Sequence, residues 1–203
     1  MHKSIELAFD FVSPNAYFAY YPLKDIARRH SAELHITPAF LAGMHKLTGN
    51  APPFIRDAEV KGKNEYAMLE MNRFIAKYGM SKWTMNPKFP FNSVTLQRLL
   101  CAVDNDERIA LIEVLLPAIW ENGLDATNAD AIGGALAAAG FDAEALLAKT
   151  QDEAVKQALM DNTQNVVERG AFGIPTMWVN RNGQSEMFFG KERLGQIEDL
   201  LAD

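Results

Sequence analysis

Cysteine is almost absent from this sequence, and its scarcity excludes several classes of protein. The 203 residues include a single cysteine, Cys101. One thiol cannot form an intramolecular disulfide, a CxxC redox pair or a multi-cysteine metal site. We therefore expect no metal centre, and this cysteine usage is typical of a reducing compartment.

Excess positive charge and long apolar runs are also missing. Lys and Arg number 20 against 26 Asp and Glu, and the formal net charge is −6. No run of like charges forms a basic tail, so neither nucleic acid nor an acidic membrane surface is an expected partner. The apolar run in MHKSIELAFDFV is brief and is interrupted by Glu6 and Asp10, which predicts neither a signal peptide nor a membrane anchor. We expect a soluble, cytoplasmic protein.

The first forty residues predict a strand, a helix and a second strand. Every second residue from Ile5 to Phe11 is apolar, as in a half-buried strand, and apolar groups follow at helical spacing over 16–29. The segment ELHITPAF, 33–40, alternates and is rich in β-forming residues. Glycine, asparagine and paired prolines over 43–56 then predict a long ordered loop, a feature that is often functional in compact domains.

The rest of the chain predicts a helical block and then a return to strands. Helical periods with polar caps recur over 56–78, 93–101, 107–122, 128–139, 142–150 and 152–169. After Gly170, IPTMWVN and SEMFFG predict two strands joined by a tight RNG turn, and KERLGQIEDLLA predicts an amphipathic helix. The order βαβ…ββα is the thioredoxin arrangement. We therefore predict an α/β fold with a thioredoxin-like domain, 1–42 and 170–203, and a loop plus inserted all-helical domain, 43–169.

Ser13 and Pro14 stand at the predicted junction of the first strand and helix. Serine is a preferred N-cap and proline a preferred first helical residue, so a purely structural role is one interpretation. The other is functional, because a helix N-terminus holds anions and a serine hydroxyl can donate a hydrogen bond to the sulfur of an external thiol. Similarly, Pro175 before a strand is either an edge feature or a cis-proline, and a cis bond would let the Ile174 backbone pair with an extended peptide.

Five segments in order carry a resemblance that spans essentially the whole chain: FDFVSPNAY, LAGMHKLTGNAPP, FPFNS, GAFGIPTMWVN and FFGKERL. Together they resemble the 2-hydroxychromene-2-carboxylate isomerases, which are relatives of kappa-class glutathione transferases and, more distantly, of periplasmic disulfide oxidoreductases. The resemblance implies a thioredoxin-like domain with a helical insertion, a glutathione cofactor and a homodimer. It also implies a role in aromatic hydrocarbon catabolism, with an aromatic carboxylate as substrate and glutathione as a regenerated nucleophile.

The same resemblance assigns roles to particular residues. Ser13 matches the serine that holds the glutathione sulfur, and Ile174 and Pro175 match the cis-proline segment that pairs with the cysteinyl unit. The family's W-G-x-D-R turn corresponds to Phe189-Gly190-Lys191-Glu192-Arg193, with a longer acid in this chain. The residues of this turn that we expect to bind the cofactor are Gly190, Lys191, Glu192 and Arg193.

Substrate-binding candidates come from the predicted loop and from the segment before the next helix. His45 matches a position where the family often has a substrate-binding lysine, and Asn50 and Arg56 lie farther along the loop. Asn92 is either a helix cap or a substrate contact. Two rival functions use the same fold: a kappa-like glutathione transferase or peroxidase, and a noncatalytic binding module on a degenerate thioredoxin frame.

Overall fold

A four-stranded mixed sheet organises the chain, whose computed structural model describes residues 3–202. The strands are β1 (Lys3–Phe9), β2 (Glu33–Pro38), β3 (Thr176–Arg181) and β4 (Gln184–Phe189). They are arranged in the order β2-β1-β3-β4. Strand β1 pairs parallel with β2 and antiparallel with β3, and β4 pairs antiparallel with β3. The α/β thioredoxin-like order predicted from the sequence is thus confirmed.

The two central strands are covered on both faces, and this explains their composition. In β1 the side chains of Ile5, Leu7, Ala8 and Phe9 are all fully buried. A strand inside a sheet with helices on both faces has no solvent side, so apolar residues occupy consecutive positions as well as alternate ones. Edge strand β4 is mostly exposed.

Helices make up the rest of the described chain. Helix α1 (Pro14–Arg29) connects β1 to β2, and α10 (Leu194–Ala202) follows β4 after a short 3₁₀ turn, Lys191–Arg193. Between β2 and β3 lie α2 (Leu41–Thr48), α3 (Pro53–Arg56), α4 (Lys63–Tyr78), α5 (Val94–Cys101), α6 (Asn105–Trp120), α7 (Ala129–Ala138), α8 (Ala143–Lys149) and α9 (Glu153–Glu168). The predicted helices from α5 onward are present within a few residues. No helix among residues 3–202 has the length and apolar content needed to cross a bilayer.

The segment predicted as a long loop differs from the prediction. Much of it is helical, because α2 fills 41–48 and α3 fills 53–56, and the next helix begins at Lys63 rather than near Arg56. Gly43 lies inside α2, where a Cβ would come within 3.3 Å of the Phe40 ring, so this glycine permits close packing. Gly49 ends α2 in the left-handed conformation, at φ 70°. Gly43 therefore lies within a helix and Gly49 ends it, although the sequence pattern predicted that both belong to a loop.

A buried glutamine joins the helical block to the ends of β1 and β2. Gln97 on α5 is fully buried, and its Nε2 donates to the carbonyls of Phe9 at 2.6 Å and Ala39 at 3.1 Å. Its Oε1 accepts from the Phe11 amide at 3.4 Å. The Trp120 indole N–H also donates to the Phe11 carbonyl, at 2.9 Å. Side chains of the inserted helices therefore fix the backbone just before Ser13.

Candidate functional site

The junction between β1 and α1 positions Ser13 with its hydroxyl fully engaged. Ser13 is the N-cap of α1, and its Oγ accepts from the Ala16 amide at 3.2 Å. The same hydroxyl donates to the Ile174 carbonyl at 3.2 Å, and the residue is only 3% exposed. The structural role expected of an N-cap serine is therefore present. The backbone amide of Asn15 makes no hydrogen bond to the described residues, so one donor at this helix terminus is free.

The peptide bond between Ile174 and Pro175 is cis, and it faces the Ser13 corner. The Pro175 carbonyl accepts from the Gly190 amide at 3.0 Å, which ties this segment to the turn after β4. A Cβ at Gly173 would lie 3.0 Å from the Phe189 ring, so the chain passes close to β4 here. The Ile174 amide makes no hydrogen bond within residues 3–202. The structure thus brings Ser13, the cis-proline segment and Gly190 together, although they are far apart in sequence.

Asn50 connects the α2–α3 segment to the same corner. Its Nδ2 donates to the Phe172 carbonyl at 2.8 Å, and its Oδ1 accepts from Arg56 Nη1 at 3.3 Å. Arg56 also makes a bidentate pair with Asp57, at 2.9 and 3.0 Å. The Arg56 guanidinium lowers the pKa of the Asp57 carboxyl well below its usual range, with help from Lys63. Asn50 and Arg56 therefore act as a unit next to the cis-proline segment.

His45 lies half-buried on α2 within the electrostatic influence of Arg56. Burial lowers its pKa from the ordinary value, and the positive charge of Arg56 lowers it further. The imidazole is therefore neutral near pH 7 and presents one N–H donor rather than a full charge. The permanent cation of this group is Arg56.

Asn92 occupies a different structural setting. Its Oδ1 accepts from the Val94 amide at 3.0 Å, where α5 begins, and the residue is exposed. No hydrogen bond of the described residues joins it to the Ser13 corner. This contact is the helix-start role that the sequence offered as one of two interpretations.

Exposed aromatic side chains flank the corner, and the sequence interpretation did not identify them as part of a site. Phe172 and Phe189 pack with ring centroids 4.4 Å apart, and Phe54 contacts Phe89 at 5.9 Å. Phe172, Phe189 and Phe54 are each about two-fifths exposed. Large apolar groups left partly exposed beside polar groups are typical of ligand sites. The available signal was weak, because only Phe89 and Phe172 of these four lie between helices and strands.

Asp10 is a second feature that the sequence interpretation missed. It is fully buried three residues before Ser13, and its carboxylate accepts from the amides of Val12 at 3.1 Å and Leu41 at 2.8 Å. Burial raises its pKa to about 6, against the opposing effect of the Leu41 amide. The available signal was one acidic residue within an apolar run, FDFV.

The buried Asp10 carboxyl should make stability depend on pH. Because its folded-state pKa of about 6 lies above the unfolded value of 3.8, the folded state binds the proton more tightly. Protonated Asp10 therefore contributes about 3 kcal/mol to the free energy of unfolding. This contribution is present below pH 4 and is lost as pH rises through 6. Urea unfolding of the unaltered protein and of Asp10→Asn at pH 4, 5, 6 and 7 tests this. As pH rises, the unfolding free energy of the unaltered protein should fall relative to that of Asp10→Asn. If the two free energies instead change in parallel with pH, the raised pKa of Asp10 is contradicted.

Known proteins are similar to this chain in both sequence and fold. Residues 4–202 match the family of the DSBA-like thioredoxin domain. A 2-hydroxychromene-2-carboxylate isomerase from Sphingobium xenophagum is 29% identical over 203 residues, which is 100% of both chains. Glutathione S-transferase kappa 1 from Rattus norvegicus is 30% identical over 99% of this chain and 92% of its own. A solved 2-hydroxychromene-2-carboxylate isomerase superposes with a TM-score of 0.81 at 24% identity, covering 98% of this chain and 94% of that one.

These relatives are enzymes, and they match the chain from end to end, including the helical insertion. The chain belongs to the DSBA-like thioredoxin family, in the group that includes 2-hydroxychromene-2-carboxylate isomerases and kappa-class glutathione transferases.

Proposed function

We propose that the chain is a glutathione-dependent isomerase that interconverts 2-hydroxychromene-2-carboxylate and trans-o-hydroxybenzylidenepyruvate. The observation that carries the proposal is the Ser13 hydroxyl, which stands at the start of α1 against the carbonyl before the cis-proline. A serine at this corner has no redox chemistry of its own, which supports a reaction that uses the thiol of a second molecule. The isomerase and glutathione transferase names of the relatives support the same conclusion.

The free backbone donors of the corner fit a thiol-containing peptide. The Asn15 amide and the positive end of the α1 dipole favour a thiolate. The Ile174 amide is available to an extended peptide backbone lying along the cis-proline segment. The Gly190 amide donates to the Pro175 carbonyl, which supports including the following turn in the proposed site.

The ring must first open: the hemiketal C–O bond breaks and the proton of the hemiketal hydroxyl passes to the phenolic oxygen. Bound glutathione would then supply a thiolate that adds reversibly to the conjugated carbon of the ring-opened form, which permits rotation about the former double bond before elimination. Ser13 stabilises the negative charge on the sulfur by turning its hydroxyl from the Ile174 carbonyl towards it. This exchange leaves the hydroxyl as acceptor for the Ala16 amide, so the helix keeps its cap.

The substrate carboxylate is proposed to bind at the Asn50–Arg56 unit. Asp57 fixes the Arg56 guanidinium in one orientation, and Asn50 joins it to the cis-proline side. His45 contributes a neutral N–H donor, and the exposed faces of Phe54 and Phe172 provide apolar surface for an aromatic ring. These groups would orient the ring and carboxylate while the sulfur reacts.

A kappa-like glutathione transferase or peroxidase is the second candidate. The observation that favours it is the sequence identity to the rat kappa enzyme, 30%, which equals the 29% identity to the isomerase within one percentage point. Both functions use Ser13 in the same way. They differ in the fate of glutathione, which an isomerase regenerates and a transferase or peroxidase consumes.

The deciding experiment follows substrate and glutathione together. We expect the purified protein to equilibrate the chromene carboxylate with its ring-opened trans isomer only when reduced glutathione is present, with the thiol concentration unchanged. S-Methylglutathione, which keeps the peptide but lacks a free thiol, is the matched control and should give no turnover. Conversion without glutathione would contradict the proposal. Consumption of glutathione with an aryl halide or peroxide, and no isomerisation, would establish the second candidate instead.

A further inference from the structure

Helix α2 begins at a phenylalanine, whose side chain cannot cap it. Because the N-cap is Phe40, the first amides of the helix depend on acceptors from other parts of the chain. The Leu41 amide donates to Asp10 Oδ2 at 2.8 Å, and the Phe40 amide donates to Thr163 Oγ1 at 3.0 Å. The residue after β1 and a residue of α9 therefore hold the start of α2 in place.

The second oxygen of the Asp10 carboxylate serves the segment that leads to Ser13. Oδ1 accepts from the Val12 amide at 3.1 Å, and the Asp10 carbonyl accepts from the Ser13 amide at 3.1 Å. One planar, fully buried carboxylate thus joins the start of α1 to the start of α2. The two helices serve different parts of the candidate site, because His45 lies on α2 and Asn50 follows its C-terminal end.

An ionised carboxylate suits this position because its two oxygens accept from amides of two separate segments. An asparagine has one carbonyl oxygen, so one of the two amides would instead face its NH₂ group, which is a donor. Burial makes the ionised form costly, and it raises the pKa of Asp10 to about 6. A charge that lowers stability at neutral pH, and that joins two parts of a candidate site, indicates a role in function.

We propose that Asp10 is a positioning residue that sets the placement of the thiol site at Ser13 relative to the substrate-binding groups on and after α2. The inference rests on the proposed function, in which these two parts hold the two reactants. Asp10 does not touch either reactant, because it is fully buried. Without it each part would still bind its own ligand, but the sulfur and the conjugated carbon would meet less often in a reactive geometry.

Amide hydrogen exchange tests the structural part of the proposal without any ligand. In Asp10→Asn at pH 7, the amides of α2 should exchange about tenfold faster than in the unaltered protein, the factor that corresponds to one lost hydrogen bond. Thr163→Val, which removes the other acceptor at the start of α2, should have a similar effect. Asp142→Asn is the matched control and should not alter exchange of α8, because that acid accepts from one amide only and asparagine caps equally well.

Kinetics with glutathione and the chromene carboxylate test the functional part. Asp10→Asn and Thr163→Val should each lower kcat about tenfold, because the reacting atoms are held less precisely. The substrate KM and the glutathione dissociation constant should stay within about twofold of the unaltered values. Asp142→Asn should keep full turnover. A loss of folded protein would instead reduce kcat and the stoichiometry of glutathione binding by the same factor.

Three results would contradict the inference, and each has a different meaning. If exchange of α2 in Asp10→Asn equals that of the unaltered protein, Asp10 does not anchor α2. If exchange rises but kcat per folded molecule is unchanged, Asp10 supports only the fold. If the unaltered protein itself shows no glutathione-dependent turnover, the proposed function fails and the positioning role fails with it. Should Asp10→Asn not fold, Thr163→Val provides both readings, and an unchanged kcat there would likewise overturn the role of α2 placement.

Discussion

Replacing Ser13 with alanine should lower glutathione-dependent turnover by about 10- to 100-fold, the effect of losing one charge-assisted hydrogen bond to the thiolate. The loss should shrink as pH rises. In the proposed mechanism Ser13 lowers the pKa of the bound thiol by stabilising its anion. At a pH above the thiol pKa of the variant, both proteins would hold the thiolate and the difference in turnover would disappear. A pH profile of turnover from 6 to 10 measures this. Ser13→Thr, which keeps a hydroxyl, should retain much of the activity.

The structural role of Ser13 requires a matched control, because alanine also removes the N-cap of α1. That change alone should lower the free energy of unfolding by about 1 kcal/mol. Asp142→Ala removes the cap of α8, where the carboxylate accepts from the Ala145 amide. It should produce a similar loss of stability with unchanged turnover. If Ser13→Ala likewise lost stability and kept full turnover across the pH range, Ser13 would be a cap and nothing more.

The sequence predicted the sheet and most helices because their causes are local. Apolar residues at every second position from Ile5 to Phe11 predict a strand independently of the rest of the chain. The pair Ser13-Pro14 likewise predicts the start of a helix. Helix α2 was missed because the glycines, asparagine and paired prolines over 43–56 were interpreted as one loop. Gly43 in fact lies inside the helix, where a Cβ would stand 3.3 Å from the Phe40 ring and would require that side chain to shift. A packing constraint of that kind is visible only when the neighbour is known.

The candidate site was predictable only in part, for the same reason. Local pattern and resemblance identified Ser13 and Pro175, and the structure places them at one corner. The hydrogen bond from Asn50 to the Phe172 carbonyl joins residues 122 positions apart, and no local pattern encodes it. Asp10 looked like an interruption in an apolar strand, because one of the two amides that donate to its carboxylate, that of Leu41, is 31 residues away in sequence.

Gln97 is the residue whose replacement should cost the most stability. Gln97→Leu keeps the side-chain volume but removes every polar contact of the buried amide. The Phe9 carbonyl retains the Ala39 amide as a partner, whereas the Ala39 carbonyl and the Phe11 amide are left without one. Two unsatisfied buried backbone groups should lower the free energy of unfolding by roughly 4 kcal/mol. Urea unfolding followed by tryptophan fluorescence measures the change.

The control for Gln97 separates burial from the chemical change itself. Gln164→Leu makes the same substitution at an exposed position on α9, where the amide donates only to Glu168, and should change stability by less than about 0.5 kcal/mol. If Gln97→Leu were equally mild, the backbone around Phe9 and Phe11 would be held by its other contacts, with the Trp120 indole first among them. A large loss would instead show that α5 fixes the end of β1. The inserted helices would then be part of what places Ser13 against the cis-proline segment, because the three residues after Phe9 lead directly to the helix start.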